Sequence, residues 1–446
     1  MAKLHLITYG CQMNEYDSER VAGLLAERDY ELTDDAAAAD VILINTCAIR
    51  EKAEDKVFSR LGELKQLKAD NPSLTIGVMG CMAALQNQAV FRRAPYVDLV
   101  FGSPAIAGVG ELVERARRER RPVLDIGEAP LVKLTTKAPT AERLRAFVTV
   151  MEGCEKHCTF CVVPRTRGRE RSHSPESIVA EVRGLVAEGC REVTLLGQTV
   201  NAYGRDLTPP TDLAELFQRV NDVPDLQRIR FTTSNPYNLT PRLIRAMRGV
   251  PKVCEYFHLP LQSGSDRVLE RMNRGYTRAQ YLALIDALRE AEPAMSFSTD
   301  IIVGFPGETE ADFEETLSVA EQVGYDNAFV FRYSRRPGTP AADMAEQIPE
   351  PVKAERNARI LEVTARSAAA GSRRLLERTV EVLVDGVSRK SAAELSGRTR
   401  CNRVVNFERQ GRVAIGDIVH VRVTDVLPHS LRGALATPEE AVCSSR

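Results

Sequence analysis

With 446 residues, 43% hydrophobic and 27% charged, the chain exceeds what one core supports and should divide into two to four domains, and its apolar runs fall far short of a membrane span. Lys plus Arg number 60 against 61 Asp plus Glu, a net charge of −1, so overall charge gives no argument for nucleic-acid binding and any basic surface must be local. Residues 378–436 hold ten Arg or Lys and six Asp or Glu, a local +4 that leaves −5 for the rest.

The opening MAKLHLITYG runs straight into a strand pattern, without the basic start, apolar stretch and small-residue cleavage site of a secretory signal, so the protein is read as cytoplasmic. In a reducing cytosol clustered cysteines read as metal ligands or catalytic groups rather than disulfides. There are ten, at positions 11, 47, 81, 154, 158, 161, 190, 254, 401 and 443.

In chain order, LHLITYG, VILINTC, LTIGVMGC and VDLVFG alternate with helical stretches, the pattern of a small parallel sheet with crossover helices over residues 1–120. Pro122, Pro130 and Pro139 mark residues 121–143 as a connector. Six further strands follow over 144–375, LRAFVTVM, REVTLLGQ, RIRFTTS, EYFHLP, FSTDIIVG and NAFVFRYS, which predict a full or partial (β/α) barrel. Helix starts support that count: Ser174 before Pro175 is an N-cap with a first-turn proline, and Thr277 with Gln280 and Thr309 with Asp312 are capping-box pairs. A charged helix over roughly 350–377 leads into TVEVLVDG, RVVNF, DIVHVRVTDV and LRGAL, a small β-barrel within 376–440. The fold class is therefore α/β with a C-terminal β-barrel.

Cys154, Cys158 and Cys161 lie in one loop directly after a strand, at the carboxyl end of the predicted barrel, where α/β active sites form. The C-x3-C-x2-C spacing lacks a nearby fourth cysteine, so three thiolates hold a cluster with one iron left open. An open, redox-active iron suits reductive cleavage of S-adenosylmethionine (SAM), whose amino and carboxylate groups can chelate it. The plain alternatives are three unrelated buried cysteines or a zinc site. Gly197, Gln198, Ser234, Asn235, Gln262, Ser263, Gly304, Gly307 and Glu308 end the neighbouring strands, where backbone, amides and hydroxyls can bind the ribose and methionine of SAM.

Cys11, Cys47 and Cys81 are 36 and 34 residues apart, yet each directly follows a parallel strand, in TYGC, INTC and VMGC. Loops at the carboxyl ends of parallel strands share one sheet edge, so the three side chains converge and a second cluster is expected. The alternative is that each fills a strand end as a small hydrophobe, the reading kept for Cys190, Cys254, Cys401 and Cys443.

Together with GCQMNEYDSE, NTCAIREKAEDKV, GCEKHCTFCVVPRTRGRERS, FHLPLQSGSDRVL and TDIIVGFPGET, the two trios resemble the radical SAM methylthiotransferases over residues 3 to about 437. CVVPRTRGRE and GRTRCNRVVNF are most similar to the MiaB-type branch, which makes 2-methylthio-N(6)-dimethylallyladenosine in tRNA. The chain departs from the family pattern at Arg165 and at Gln198–Thr199, where an aromatic and Gln-Asn are commoner. The resemblance implies an N-terminal methylthiotransferase domain, a radical SAM core and a C-terminal TRAM domain. It implies two 4Fe-4S clusters and two SAM molecules. The Cys154, Cys158 and Cys161 cluster would generate a 5′-deoxyadenosyl radical that takes hydrogen from the adenine C-2, with Phe160 beside the SAM adenine. The Cys11, Cys47 and Cys81 cluster would deliver the sulfur. An electron donor such as flavodoxin or ferredoxin and a monomeric state are further implications.

For the anticodon stem-loop of tRNA, Arg389, Lys390, Arg398, Arg400, Arg403 and Arg432 form the basic patch expected on the C-terminal barrel. Arg165 and Arg167, with Arg169 and Arg171, are read as a clamp beside the cluster loop. Two other readings stand beside this one: a methylthiotransferase acting on a ribosomal protein, and a non-catalytic iron-sulfur RNA-binding sensor.

Overall fold

The computed structural model describes residues 1–47, 51–127 and 144–437; Cys443 and most of the expected connector lie outside them. The chain divides into two compact units. The first is Met1–Cys190, Thr194–Asp212 and Arg336–Thr339; the second is Arg191–Val193, Leu213–Arg335 and Pro340–Arg446.

The first unit opens with six parallel strands: β1 (Ala2–Tyr9), β2 (Tyr30–Leu32), β3 (Val41–Thr46), β4 (Thr75–Met79), β5 (Leu99–Phe101) and β6 (Val123–Asp125), in the order β2-β1-β3-β4-β5-β6. All six residues of β3 are buried, because helices cover both faces of a parallel sheet. Val41 and Leu43 join the apolar cluster on one face, and Ile42 and Ile44 the cluster on the other. Val123–Asp125, assigned to a connector from the sequence, is instead an edge strand of this sheet. Three residues were too short a run to stand out from the flanking Arg120, Arg121 and Pro122.

Register decides what the sheet presents. Tyr9 pairs with Thr46 and Asn45 with Met79, so β1, β3 and β4 end level. The residues that follow, Cys11, Cys47 and Gly80–Cys81, leave the sheet at a single edge. Beyond β7 (Arg145–Thr149), the short antiparallel pair β8 (Met151–Glu152) and β9 (Arg171–Ser172) closes the ends of the second cysteine loop. Ser174 caps the helix Pro175–Ala187 by accepting from the Ser177 amide, as expected.

β10 (Glu192–Leu196) precedes the strands of the second unit, β11 (Arg228–Phe231), β12 (Tyr256–His258), β13 (Ser296–Val303) and β14 (Asn327–Arg332); with β7, all six lie where the apolar runs put them. β12, β13 and β14 pair in parallel. The helices Arg278–Ala291 and Glu310–Val323 both start with complete capping boxes, Thr277 with Gln280 and Thr309 with Asp312. The charged helix spans Glu350–Arg373.

The C-terminal segment closes into a barrel of β15 (Thr379–Val387), β16 (Glu394–Thr399), β17 (Val404–Glu408), β18 (Ile418–Val426) and β19 (Leu431–Leu435). Val382, Val384, Leu395, Val405, Phe407, Val421, Val423 and Leu431 fill its interior, one face of each alternating strand. β16 had no counterpart among the expected strands. Its sequence ELSGRT carries one large apolar residue, and its Gly397 lies against the Leu383 carbonyl, where an added Cβ would come within 2.4 Å. Among the described residues no helix is long and apolar enough to cross a membrane.

Candidate active site

Both cysteine trios belong to the first unit. In the N-terminal trio, Cys11 is the N-cap of the helix Gln12–Ala26, and Asn14 at the third helical position returns its side chain to the Cys11 amide, 3.4 Å away. Asn14 also donates to Asn45 Oδ1 at 2.9 Å, while Asn45 Nδ2 donates to the Asn14 carbonyl at 2.8 Å and to Ser18 Oγ at 3.0 Å. This fully buried amide pair fastens the Cys11 loop to the end of β3, one residue from Thr46 and two from Cys47.

The glycine before Cys81 is required by the same crowding. Gly80 has φ +92°, and a Cβ there would lie 2.3 Å from Asn45 Oδ1 and 2.8 Å from the Thr46 carbonyl. A Cβ on Gly10 would meet Cys47 Cβ at 2.9 Å, so the loops of Cys11 and Cys47 touch. A hydrogen bond with Cys47 draws the Cys11 thiol down to about 6, with the Arg167 charge adding to it against the opposing effect of burial.

The second trio starts at Cys154, whose amide donates to the Gly168 carbonyl at 3.1 Å and folds the loop back on itself. Burial pushes the Cys154 thiol up, partly offset by Thr199 Oγ1 at 3.5 Å. The amides of Lys156 and Val163 point at the sulfurs of Cys154 and Cys161, at 3.4 and 3.5 Å. Amides aimed at cysteine sulfur are the contacts that stabilise thiolate ligands and tune an iron-sulfur centre. Phe160 is half-buried beside them.

All six sulfurs are free of disulfides. Among the described residues no group of three or more His, Cys, Asp or Glu side chains is spaced to hold a single metal ion. A four-iron cluster is a different demand, since each thiolate binds its own iron and the ligands stand correspondingly farther apart. Three cysteines per loop group, with sulfur-directed amides around one of them, fit such a cluster.

The strand-end residues separate into two kinds. In the first unit both amide atoms of Gln198 are buried without a protein partner, and Gly197 packs against Met151. In the second unit Ser234 Oγ and Gln262 Oε1 are likewise buried and unpartnered. Their backbone is strained as well: Gln262 has φ +66°, and β-branched Thr233, beside Ser234, has φ +69°. Unsatisfied buried polar atoms and strain of this kind are kept where a ligand completes the site. Ser263 and Glu308 differ. Ser263 Oγ lies 3.3 Å from Thr316 Oγ1, and Glu308 accepts from the Gly304 amide at 2.8 Å and from Arg356 at 2.7 Å. Both have protein partners within the second unit itself.

The basic residues sort by burial. Arg389 and Lys390 are exposed at the β15–β16 turn, and exposed Arg432 pairs with Glu394 at 3.0 Å. Arg165 is exposed and donates to the Pro337 carbonyl at 3.0 Å, and half-buried Arg398 stands 3.6 Å from Asp385. Arg400 is turned inward onto Glu255 at 2.6 Å and the Val253 carbonyl at 2.6 Å, and Arg403 onto Asp326 and Ser372. These two hold the barrel within the second unit rather than standing free for phosphate. Arg167 is corrected more sharply: it is 4% exposed, and its guanidinium is bound to Asp17 at 2.7 Å, so it is no surface clamp.

Comparison with known proteins now decides the family. The chain is 46% identical over 445 residues to the tRNA-2-methylthio-N(6)-dimethylallyladenosine synthase of Aromatoleum aromaticum, covering 98% of this chain and all of that one. It is 48% identical to the synthase of the same name from Methylococcus capsulatus, covering 97% and 95% of the two chains. The chain belongs to the tRNA-2-methylthio-N(6)-dimethylallyladenosine synthase family. Residues 3–102 match the uncharacterized protein family UPF0004, residues 148–320 the radical SAM superfamily, and residues 373–436 the TRAM domain. Among solved structures, the radical SAM methyltransferase TsrM from Kitasatospora setae superposes with a TM-score of 0.59 at 13% identity, over 77% of this chain and 75% of that one. At that identity the likeness is one of fold alone. Asn14, Asn45, Asp17 and Thr233 support the site without having drawn notice in the sequence; of these, only Asn14, three residues after Cys11, carried a readable signal, the capping-box spacing.

Proposed function

We propose that this chain is a radical SAM methylthiotransferase that converts N(6)-dimethylallyladenosine beside the tRNA anticodon to its 2-methylthio derivative. The observation that carries the reading is the gathering of two separate cysteine trios in one compact unit of a chain 46–48% identical, nearly end to end, to synthases of that name. When bound, a 4Fe-4S cluster on Cys154, Cys158 and Cys161 supplies the electron that cleaves SAM, and one on Cys11, Cys47 and Cys81 supplies the sulfur.

The chain's own residues prepare both places. The Lys156 and Val163 amides steady the sulfurs of the second trio. Gln198, in the same unit as the trio, offers unpaired polar atoms to SAM. The Asn14–Asn45 pair holds the N-terminal loops in register. An unactivated aromatic C–H bond calls for a radical and sulfur insertion for a separate sulfide source, so two distinct trios match the two demands. The anticodon-loop adenosine is already single-stranded, which lowers the cost of presenting it. Flavodoxin or ferredoxin as electron donor, and a monomeric enzyme, complete the reading.

The test is nucleoside mass analysis after anaerobic incubation of the reconstituted protein with SAM, reductant and tRNA carrying N(6)-dimethylallyladenosine. The expected product carries a methylthio group in place of one hydrogen of the adenine. Modification of a ribosomal protein in place of tRNA, or no SAM cleavage at all, would select one of the other two readings.

The exposed residues make the RNA side testable too. Replacing Arg389 and Lys390 by Ala should weaken tRNA binding and flatten its log–log salt dependence by roughly 1–2 units, as each lost phosphate contact removes just under one. An unchanged slope in binding titrations across a salt series would place the RNA elsewhere on the protein.

A further inference from the structure

We infer that the buried Asp17–Arg167 ion pair is a positioning element that sets the charge environment of the cluster held by Cys11, Cys47 and Cys81. This rests on the assignment of a second cluster to that trio under the proposed function.

Three placements support it. Arg167 ends the short helix Val163–Arg167, six residues after Cys161, yet its side chain runs away from solvent to Asp17 on the helix that Cys11 caps. Asp17 is 1% exposed, and its Oδ2 accepts from Arg167 Nη2 at 2.7 Å and from Ser103 Oγ at 3.0 Å. Cys81 packs against Val162 at the start of the same short segment. The pair therefore spans from the radical-cluster loop to the N-terminal trio, and the thiols of Cys81 and Cys11 are, after Asp17, the groups that most favour the Arg167 charge.

Burying an ion pair is expensive, and well-packed apolar residues often do as well or better for stability. A pair retained at this depth beside metal-binding sulfurs has a use other than packing. Reducing an iron-sulfur cluster adds one negative charge, and in a medium of low dielectric constant a fixed cation nearby favours the reduced state. Asp17 holds the guanidinium in place and moderates its charge. The two residues thus act on the cluster with opposite signs, which a purely structural role would not produce.

The experiment uses the full chain with Cys154, Cys158 and Cys161 all replaced by Ala, so that the N-terminal trio holds the sole cluster, reconstituted anaerobically and titrated redox-potentiometrically with paramagnetic resonance detection. Arg167→Gln should shift the midpoint potential in the negative direction and Asp17→Asn in the positive direction, with Arg167→Lys close to the parent. If Arg167→Gln fails to take up the cluster while Arg167→Lys and Asp17→Asn load it and Asp17→Asn shifts positive, the inference stands. Shifts in the same direction for the Gln and Asn variants, no shift in either, or loss of the cluster from all three would make the pair structural and overturn it. A parent protein that takes up no iron at the remaining trio would overturn the two-cluster reading itself, an outcome separate from any difference among the variants.

Discussion

Replacing Cys47 by Ala should abolish methylthiolated product while 5′-deoxyadenosine still forms under reduction, whereas replacing Cys158 by Ala should abolish both. The asymmetry follows from the architecture. Cys47 leaves β3 at the sheet edge shared with Cys11 and Cys81, whereas Cys158 lies in the loop closed by β8 and β9. Removing one of three ligands leaves two at a site that needs three, so each loss falls on its own cluster. A paired assay of 5′-deoxyadenosine and modified nucleoside on both reconstituted variants reads the division directly. Normal amounts of methylthiolated tRNA from the Cys47 variant would return the N-terminal cysteines to packed strand ends.

The largest effect on stability should come from Arg230. It is 7% exposed on β11; its Nε stands 2.9 Å from Glu192, itself 3% exposed, and its two terminal nitrogens donate at 2.8 Å to the Arg400 and Thr399 carbonyls at the end of β16. Arg228, fully buried one strand step away, binds Glu381 on β15 at 2.8 Å but reaches Glu192 at only 3.9 Å. Arg230→Met therefore removes the guanidinium that stands 2.9 Å from buried Glu192 and the donor of the Arg400 carbonyl, and leaves the Thr399 carbonyl with the Asn402 amide. Breaking one side of a buried pair costs about 3–5 kcal/mol, which for a unit of this size is roughly 10 °C in its thermal transition. A double variant with Glu192→Gln should recover part of the loss, since the buried charge that Arg230 faces goes with it. Calorimetry of the full chain tests both statements, and a change under roughly 2 °C for Arg230→Met would contradict the first.

Much of this was legible because each chemical group sat at a position the fold makes special. Cysteines directly after three strands of a parallel sheet had to emerge at one edge, and alternation along TVEVLV and DIVHVRV was enough for a closed barrel. The parts that were not legible share a physical cause. Asp17 and Arg167 are 150 residues apart in sequence, and nothing local distinguishes an arginine that will be buried against a carboxylate from one that faces RNA. The same ambiguity put Arg400 and Arg403 on a surface patch, although the turn between β16 and β17 directs them to Glu255 and Asp326. Edge strands such as β6 and β16 escaped because a three-residue run, or one large apolar side chain in six, is too weak a periodic signal. The unpartnered amide of Gln198 and the strain at Thr233 are properties of three-dimensional surroundings and have no pattern along the chain.

The central claim, that two trios hold two clusters, is tested most directly by quantifying iron and acid-labile sulfide per chain after anaerobic reconstitution, for the parent and for the variant with Cys11, Cys47 and Cys81 replaced by Ala. Two clusters give about eight irons and eight sulfides for the parent and about four of each for the variant. About four in both proteins would contradict it.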